Sequence, residues 1–130
     1  MEYVNKDDLF RQADFVTIHV VLSQRSRGLV GAKEFGLMKP SAYIINTSRG
    51  PIIEEATLLA ALREKPIAGA GLDVFDIEPL PTDHPLRKMD NVVLTPHLGY
   101  VSLQNYGAYF SGVVDDIRAF LDGKPVRVLE

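Results

Sequence analysis

The 130-residue sequence predicts an α/β protein built on a parallel β-sheet, and three observations predict it. Short apolar runs alternate along the chain with helix-like segments, the order that builds a parallel sheet through crossover connections. The runs are near-continuous in apolar residues, the pattern of strands covered on both faces. Hydrophobic residues make up 46% and charged residues 24%, the proportions of a globular domain able to bury a core.

The elements follow in order. "NKDDLFRQ" is acidic and helix-like, and "ADFVTIHVVL" (13–22) reads as the first strand. "QRSRGLVG" is a loop, and "AKEFGLMKP" is a short helix stopped by Pro40. "SAYIIN" (41–46) is the second strand. "EEATLLAALREK" (54–65) is a helix, with Glu54 and Glu55 at its positive end and Arg63 and Lys65 at its negative end. Leu58, Leu59 and Leu62 form its inward stripe, and Pro66 follows it. "IAGAGLDVF" (67–75) is the third strand, with small residues that permit close backbone approach. Residues 76–90 are a Pro-rich loop, and "NVVLTP" (91–96) is the fourth strand. Residues 101–124 form a long helix ended near Gly123 and Pro125.

Composition removes several function classes. The net charge of −3 gives no basic footprint for nucleic acid. With no cysteine, disulfides, thiolate metal sites and cysteine nucleophiles are excluded, and no metal site is expected. No apolar run approaches the roughly 18 residues of a membrane span, and no signal-peptide pattern opens the chain. A cytoplasmic protein is expected, although the chain begins mid-pattern with no leading strand.

In open parallel sheets, ligands bind beyond the C-terminal ends of the strands. The second strand runs into Asn46-Thr47-Ser48-Arg49-Gly50, the third into Asp73 with Glu78 shortly after, and the fourth into Thr95-Pro96-His97-Leu98-Gly99. Each polar residue has a bland reading: a solvated arginine, an exposed loop acid, a turn histidine. Together at equivalent ends of one sheet they describe a chemistry. Arginine offers a planar fork of donors to a carboxylate. Histidine gives or takes a proton near neutral pH, and a carboxylate against its ring would orient it and favour the protonated form. Reduction of a 2-keto acid needs such a set, with hydride from a cofactor, since no side chain carries one.

"ADFVTIHVVL", "LMKPSAYIINTSRGPIIEEATLLAAL", "IAGAGLDVFDIEPLPTDHPL" and "NVVLTPHLG" together resemble the C-terminal half of the NAD-binding domain of D-isomer-specific 2-hydroxyacid dehydrogenases, over roughly residues 3 to 125. The resemblance implies a Rossmann-like domain lacking its N-terminal βαβ portion. It implies residues 1–99 as the C-terminal part of that domain, with 100–130 as a long helix and tail returning to a substrate domain. It assigns Arg49 to the substrate carboxylate and carbonyl, His97 to proton transfer and Glu78 to pairing with His97. Asp73 would lie at the nicotinamide end, Thr47 and Ser48 by the nicotinamide ribose, and His19 and Val20 near the adenosine side. Gly99 would let the backbone approach the nicotinamide amide, and Arg49 and His97 would also border the cofactor. The implied cofactor is NAD, with NADP open. The implied partners are a small 2-hydroxy or 2-keto acid and a second copy in a homodimer. Two positions depart from the family pattern: Val21, where proline is common, and Tyr100, where Gly or Ala is common.

The 130 residues contain no G-x-G-x-x-G, nor the acid that would follow it to read the ribose. The chain is therefore expected to be a C-terminal fragment of a longer enzyme. By itself it is expected to bind NAD poorly, to turn over little substrate and to self-associate through an uncovered sheet edge. The alternative is a non-enzymatic NAD-sensing interaction protein. The C-terminal-binding-protein corepressors share this fold and the Arg, Glu and His positions, so the trio does not by itself establish turnover. A structural α/β domain with incidental polar strand ends is the blandest reading.

Overall fold

The structure is a computed structural model that describes residues 2–64 and 66–129. Lys65, expected at the C-terminal end of the 54–65 helix, lies outside the described residues. The chain divides into two compact units, Met1–His97 and Leu98–Glu130.

The first unit opens with α1 (Lys6–Gln12), capped by Asn5, whose side-chain oxygen accepts the Asp8 N–H at 2.9 Å. There follow β1 (Phe15–Ile18), α2 (Ala32–Leu37), β2 (Tyr43–Asn46), α3 (Glu55–Glu64), β3 (Gly69–Leu72) and β4 (Val92–Leu94). Short 3₁₀ turns occupy Gly50–Ile52 and Pro85–Lys88. The four strands lie in the order β1-β2-β3-β4, and every neighbouring pair is parallel. In register, Ile18 lies beside Asn46 and Asn46 beside Leu72, so the C-terminal strand ends are aligned at one rim.

The strands are shorter than the apolar runs that announced them. The first stops at Ile18, and Val21 is 86% exposed. The cause is the neighbour: β2 ends at Asn46, the partner of Ile18, and beyond it no ladder remains to extend. The expectation of a sheet covered on both faces is also corrected. Val16, Ile18, Ile44, Ala70 and Leu72 are buried in one core with Phe10, Phe35, Leu58 and Leu62. The opposite face carries Phe15, Tyr43 and Val93, all exposed, with the rings of Phe15 and Tyr43 stacked at 5.5 Å. In α3 the buried residues are Leu58, Ala61 and Leu62, and Leu59 is only partly buried.

The second unit is α4 (Leu103–Leu121) and its tail. Ser102 caps the helix by accepting the Asn105 N–H at 3.2 Å. Gly123, at φ +70°, turns the chain out of it in the left-handed conformation that glycine adopts without strain. Arg127 folds the tail back through bonds to Asp116 and the Gly112 carbonyl. No residue of α4 is buried. Among the described residues no helix is long and apolar enough to cross a membrane.

Candidate active site

The rim at the strand ends is built first by Asn46. This side chain is 1% exposed; its amide donates to the Arg49 carbonyl at 2.9 Å, and its oxygen accepts the Ser48 N–H at 3.1 Å. The 46–49 turn is thus wound around a buried amide. Ser48 donates its hydroxyl to the Ile18 carbonyl at 2.8 Å and ties this turn to the end of β1. Thr47, Ser48 and Arg49 line a cleft of about 610 Å³ together with His19, Val20, Val21 and Leu22. His19 is held by Thr17, whose hydroxyl lies 2.9 Å from Nε2. The Arg49 side chain is exposed and donates to the Ser48 carbonyl at 2.6 Å. Among the described residues no carboxylate forms an ion pair with it.

Gly50 explains how the second rim segment comes close. A Cβ there would sit 2.1 Å from the Phe75 carbonyl carbon and 2.5 Å from the Asp76 nitrogen. Only a residue without a side chain lets the backbone leaving β3 cross over the turn leaving β2.

The ends of β3 and β4 are bolted together. Asp73, 4% exposed, accepts the Thr95 hydroxyl on Oδ1 at 2.5 Å, and its carbonyl accepts the His97 N–H at 2.8 Å. His97 has φ 59°, the left-handed region that a non-glycine residue occupies at a cost of about 1–2 kcal/mol. Such a conformation persists where surrounding contacts over-determine it, and it concentrates at functional sites. Glu78 supplies another such contact, with Oε2 lying 2.7 Å from His97 Nδ1 while Oε1 accepts the Phe75 N–H at 2.9 Å. Each side chain of the pair is 34% exposed. Burial pushes the Glu78 carboxyl up, but the His97 hydrogen bond, the Phe75 N–H and the charges of His97 and Arg49 together hold it below the usual carboxylate value.

The structure therefore brings Arg49, Asp73, Glu78 and His97 to one rim, with Thr47, Ser48, His19 and Val20 along it. Gly99 belongs to the second unit, in the turn closed by the Val101 N–H to the Leu98 carbonyl at 2.8 Å. Two residues carried no assigned role from sequence: Asn46, which shapes the arginine turn, and Thr95, which holds Asp73. An asparagine closing the apolar run "SAYIIN" is the sequence signal for Asn46. For Thr95 the partner is 22 residues away, and no local pattern points to it.

Comparison with known proteins adds identity to this geometry. The family model described as "D-isomer specific 2-hydroxyacid dehydrogenase, NAD binding domain" matches residues 1–99. Glyoxylate reductase of Thermofilum pendens is 46% identical over 104 residues, covering 80% of this chain and 31% of the relative. Glyoxylate/hydroxypyruvate reductase B of Enterobacter agglomerans is 41% identical over 123 residues, covering 95% and 38%. Among solved structures, a D-isomer-specific 2-hydroxyacid dehydrogenase of Lactobacillus delbrueckii in its NAD-complexed form superposes with a TM-score of 0.83 at 30% identity, covering 99% of this chain and 43% of that one. The Xanthobacter autotrophicus enzyme in complex with NADPH and MES gives a TM-score of 0.73 at 39% identity, covering 93% and 49%. The chain thus spans about a third of the length of these reductases, and it belongs to the D-isomer-specific 2-hydroxyacid dehydrogenase family, within the NAD-binding domain.

Proposed function

We infer that the chain supplies the catalytic rim of an NAD(P)-dependent oxidoreductase that interconverts a 2-keto acid and a D-2-hydroxy acid, with glyoxylate and hydroxypyruvate the leading substrates. The observation that carries this is the Glu78–His97 pair, 2.7 Å apart, beyond the C-terminal ends of a parallel sheet whose second strand runs into Arg49. The similarity to glyoxylate and hydroxypyruvate reductases supports the substrate class and disfavours the corepressor-like alternative.

The residues present fit the nicotinamide half of a dinucleotide. Thr47 and Ser48 bring hydroxyls to the cleft, His19 and Val20 line it with them, and the buried Asp73 carboxylate is an acceptor suited to an amide N–H. Arg49 and His97 complete the cofactor-binding set in this reading, and Gly99, expected there from the sequence, lies in the second unit. A bound nicotinamide supplies hydride for reduction and takes it back in oxidation. Arg49 holds the substrate carboxylate and polarises the adjoining carbonyl through its donor fork. Glu78 accepts from His97 Nδ1–H, so Nε2 is the atom that carries the exchangeable proton. In reduction Nε2 gives this proton to the keto oxygen; in oxidation it takes the hydroxyl proton. The Glu78 carboxylate stabilises the imidazolium, as a carboxylate does in other His-centred sites.

The reading includes the cytoplasmic location and homodimer expected from the sequence, the dimer supported by the apolar surface at Phe15, Tyr43 and Val93. It also sends residues 100–130 towards a substrate domain, supported by a 19-residue helix with no buried residue. A chimera tests the activity directly: this chain replaces the matching segment of the T. pendens reductase. Glyoxylate reduction with NADH or NADPH, abolished by His97→Asn, is the expected result. A folded chimera whose turnover is unaffected by His97→Asn would refute the assignment.

A further inference from the structure

We propose that Thr95 is a positioning residue for His97, acting through Asp73. Its role as part of a catalytic device rests on the reading of His97 as the proton carrier.

The argument starts from the strain at His97. With φ 59° its backbone does not hold itself, so neighbouring bonds must hold it. The segment Thr95-Pro96-His97 is fastened to the end of β3 at three points. The Thr95 N–H donates to the Leu72 carbonyl at 3.0 Å, the His97 N–H donates to the Asp73 carbonyl at 2.8 Å, and the Thr95 hydroxyl donates to Asp73 Oδ1. Asp73 is the shared member: its backbone takes His97 and its side chain takes Thr95. Its carboxylate is 4% exposed, and a buried carboxylate that loses a donor reorients or draws in water. Either response slackens the tie between β4's exit and Asp73, the residue whose carbonyl fixes His97.

A second chain of bonds closes the loop. Phe75, two residues beyond Asp73, donates its N–H to Glu78, and Glu78 meets His97 Nδ1. His97 is thus held at its backbone through Asp73 and at its ring through Glu78. Both holds start in the stretch 73–75, and the Thr95 hydroxyl ties β4's exit to that stretch through the Asp73 carboxylate. Thr95 itself is exposed, so replacing its hydroxyl with a methyl leaves the core unchanged.

The test is amide hydrogen exchange and imidazole NMR on the 130-residue chain, comparing Thr95→Val, Thr95→Ser and the unmodified protein. Thr95→Val should speed exchange at the His97 N–H by about tenfold, the size of one lost hydrogen bond to a charged group. It should also shift the His97 Nδ1–H resonance, which reports the contact with Glu78. Thr95→Ser restores the hydroxyl and should return both signals. Exchange at Ile44, deep in the sheet, should stay as it was. Unchanged His97 signals in Thr95→Val would overturn the proposal, as would equal acceleration at Ile44, which means general destabilisation. None of these signals depends on turnover. Should His97→Asn prove harmless in the chimera while Thr95 still governs exchange at His97, the functional reading falls and the positioning role stands.

Discussion

Glu78 touches two different groups with its two oxygens: Oε2 lies 2.7 Å from His97 Nδ1, and Oε1 accepts the Phe75 N–H at 2.9 Å. The carboxylate therefore joins the exit of β3 to the imidazole, and its ionised form is the one both contacts favour. Its pKa is lowered in the folded chain. The folded state then binds fewer protons than the unfolded state near the titration. Stability from this group is complete above the unfolded value, about 4.3, and is lost as pH falls through the lower folded value. The gap in urea unfolding between Glu78→Gln and the unmodified chain should be present near pH 5.5, where His97 also carries charge, and should shrink as the pH falls below 4. A gap that widened on acidification would reverse the sign argued here.

The close approach of Gly50 to the Phe75 backbone makes a second prediction. A methyl at 2.1 Å from a backbone carbon cannot be relieved by a rotamer change. Gly50→Ala should cost about 2–4 kcal/mol in chemical denaturation. Gly71→Ala is the control, because a Cβ there meets nothing nearer than Ile45 at 3.7 Å. Similar losses at the two sites would show that backbone proximity is not the cause.

Much of this arrangement was legible in the sequence, for definable reasons. Ile44 must be buried, and an apolar run reports burial directly, so β2 stands where "SAYIIN" placed it. The rim residues follow from topology, because a parallel sheet collects its strand exits at one end. Val21 shows where this reading overreached. Its β-branched side chain continues the apolar run, but ladder length is set by the partner strand, which ends at Asn46. Phe15 and Tyr43 show the second limit: an apolar pattern records that a face is to be covered, not which chain covers it. The Thr95–Asp73 bond joins β4's exit to β3's, and such long-range pairing leaves no periodic trace.

Cofactor affinity of the 130 residues alone is a third prediction. The rim offers hydroxyls, an arginine and a carboxylate for the nicotinamide half, whereas pyrophosphate binding draws on a glycine-rich turn and a helix N-terminus that these residues do not contain. Isothermal titration with NADH should find no micromolar binding. A micromolar dissociation constant would mean that the rim suffices.

Self-association is the fourth. Phe15 lies on the edge strand β1 and is 66% exposed, stacked on Tyr43, which is 42% exposed. Unpaired edges with apolar side chains recruit other chains, and a lysine on the edge discourages this. Light scattering after size exclusion should give a concentration-dependent mass above that of one chain, and Phe15→Lys should lower it. A single monomeric peak at every concentration would count against an edge-driven assembly.

Arg49 separates substrate binding from cofactor binding. Its guanidinium is exposed on the rim and bonded to the Ser48 carbonyl, and among the described residues no carboxylate occupies it. A planar donor fork in that state is prepared for an external carboxylate. In the chimera, Arg49→Gln should reduce kcat/KM for glyoxylate on the order of a hundredfold or more, the scale of a lost charged hydrogen-bonding pair. NADH affinity should change by less than about threefold, because the pyrophosphate and adenosine contacts lie elsewhere. Arg49→Lys keeps the charge and loses the fork, and should recover only part of the lost rate. Full recovery by lysine would assign Arg49 to charge alone, and equal losses for glyoxylate and NADH would show that it borders the cofactor without a separate hold on the substrate.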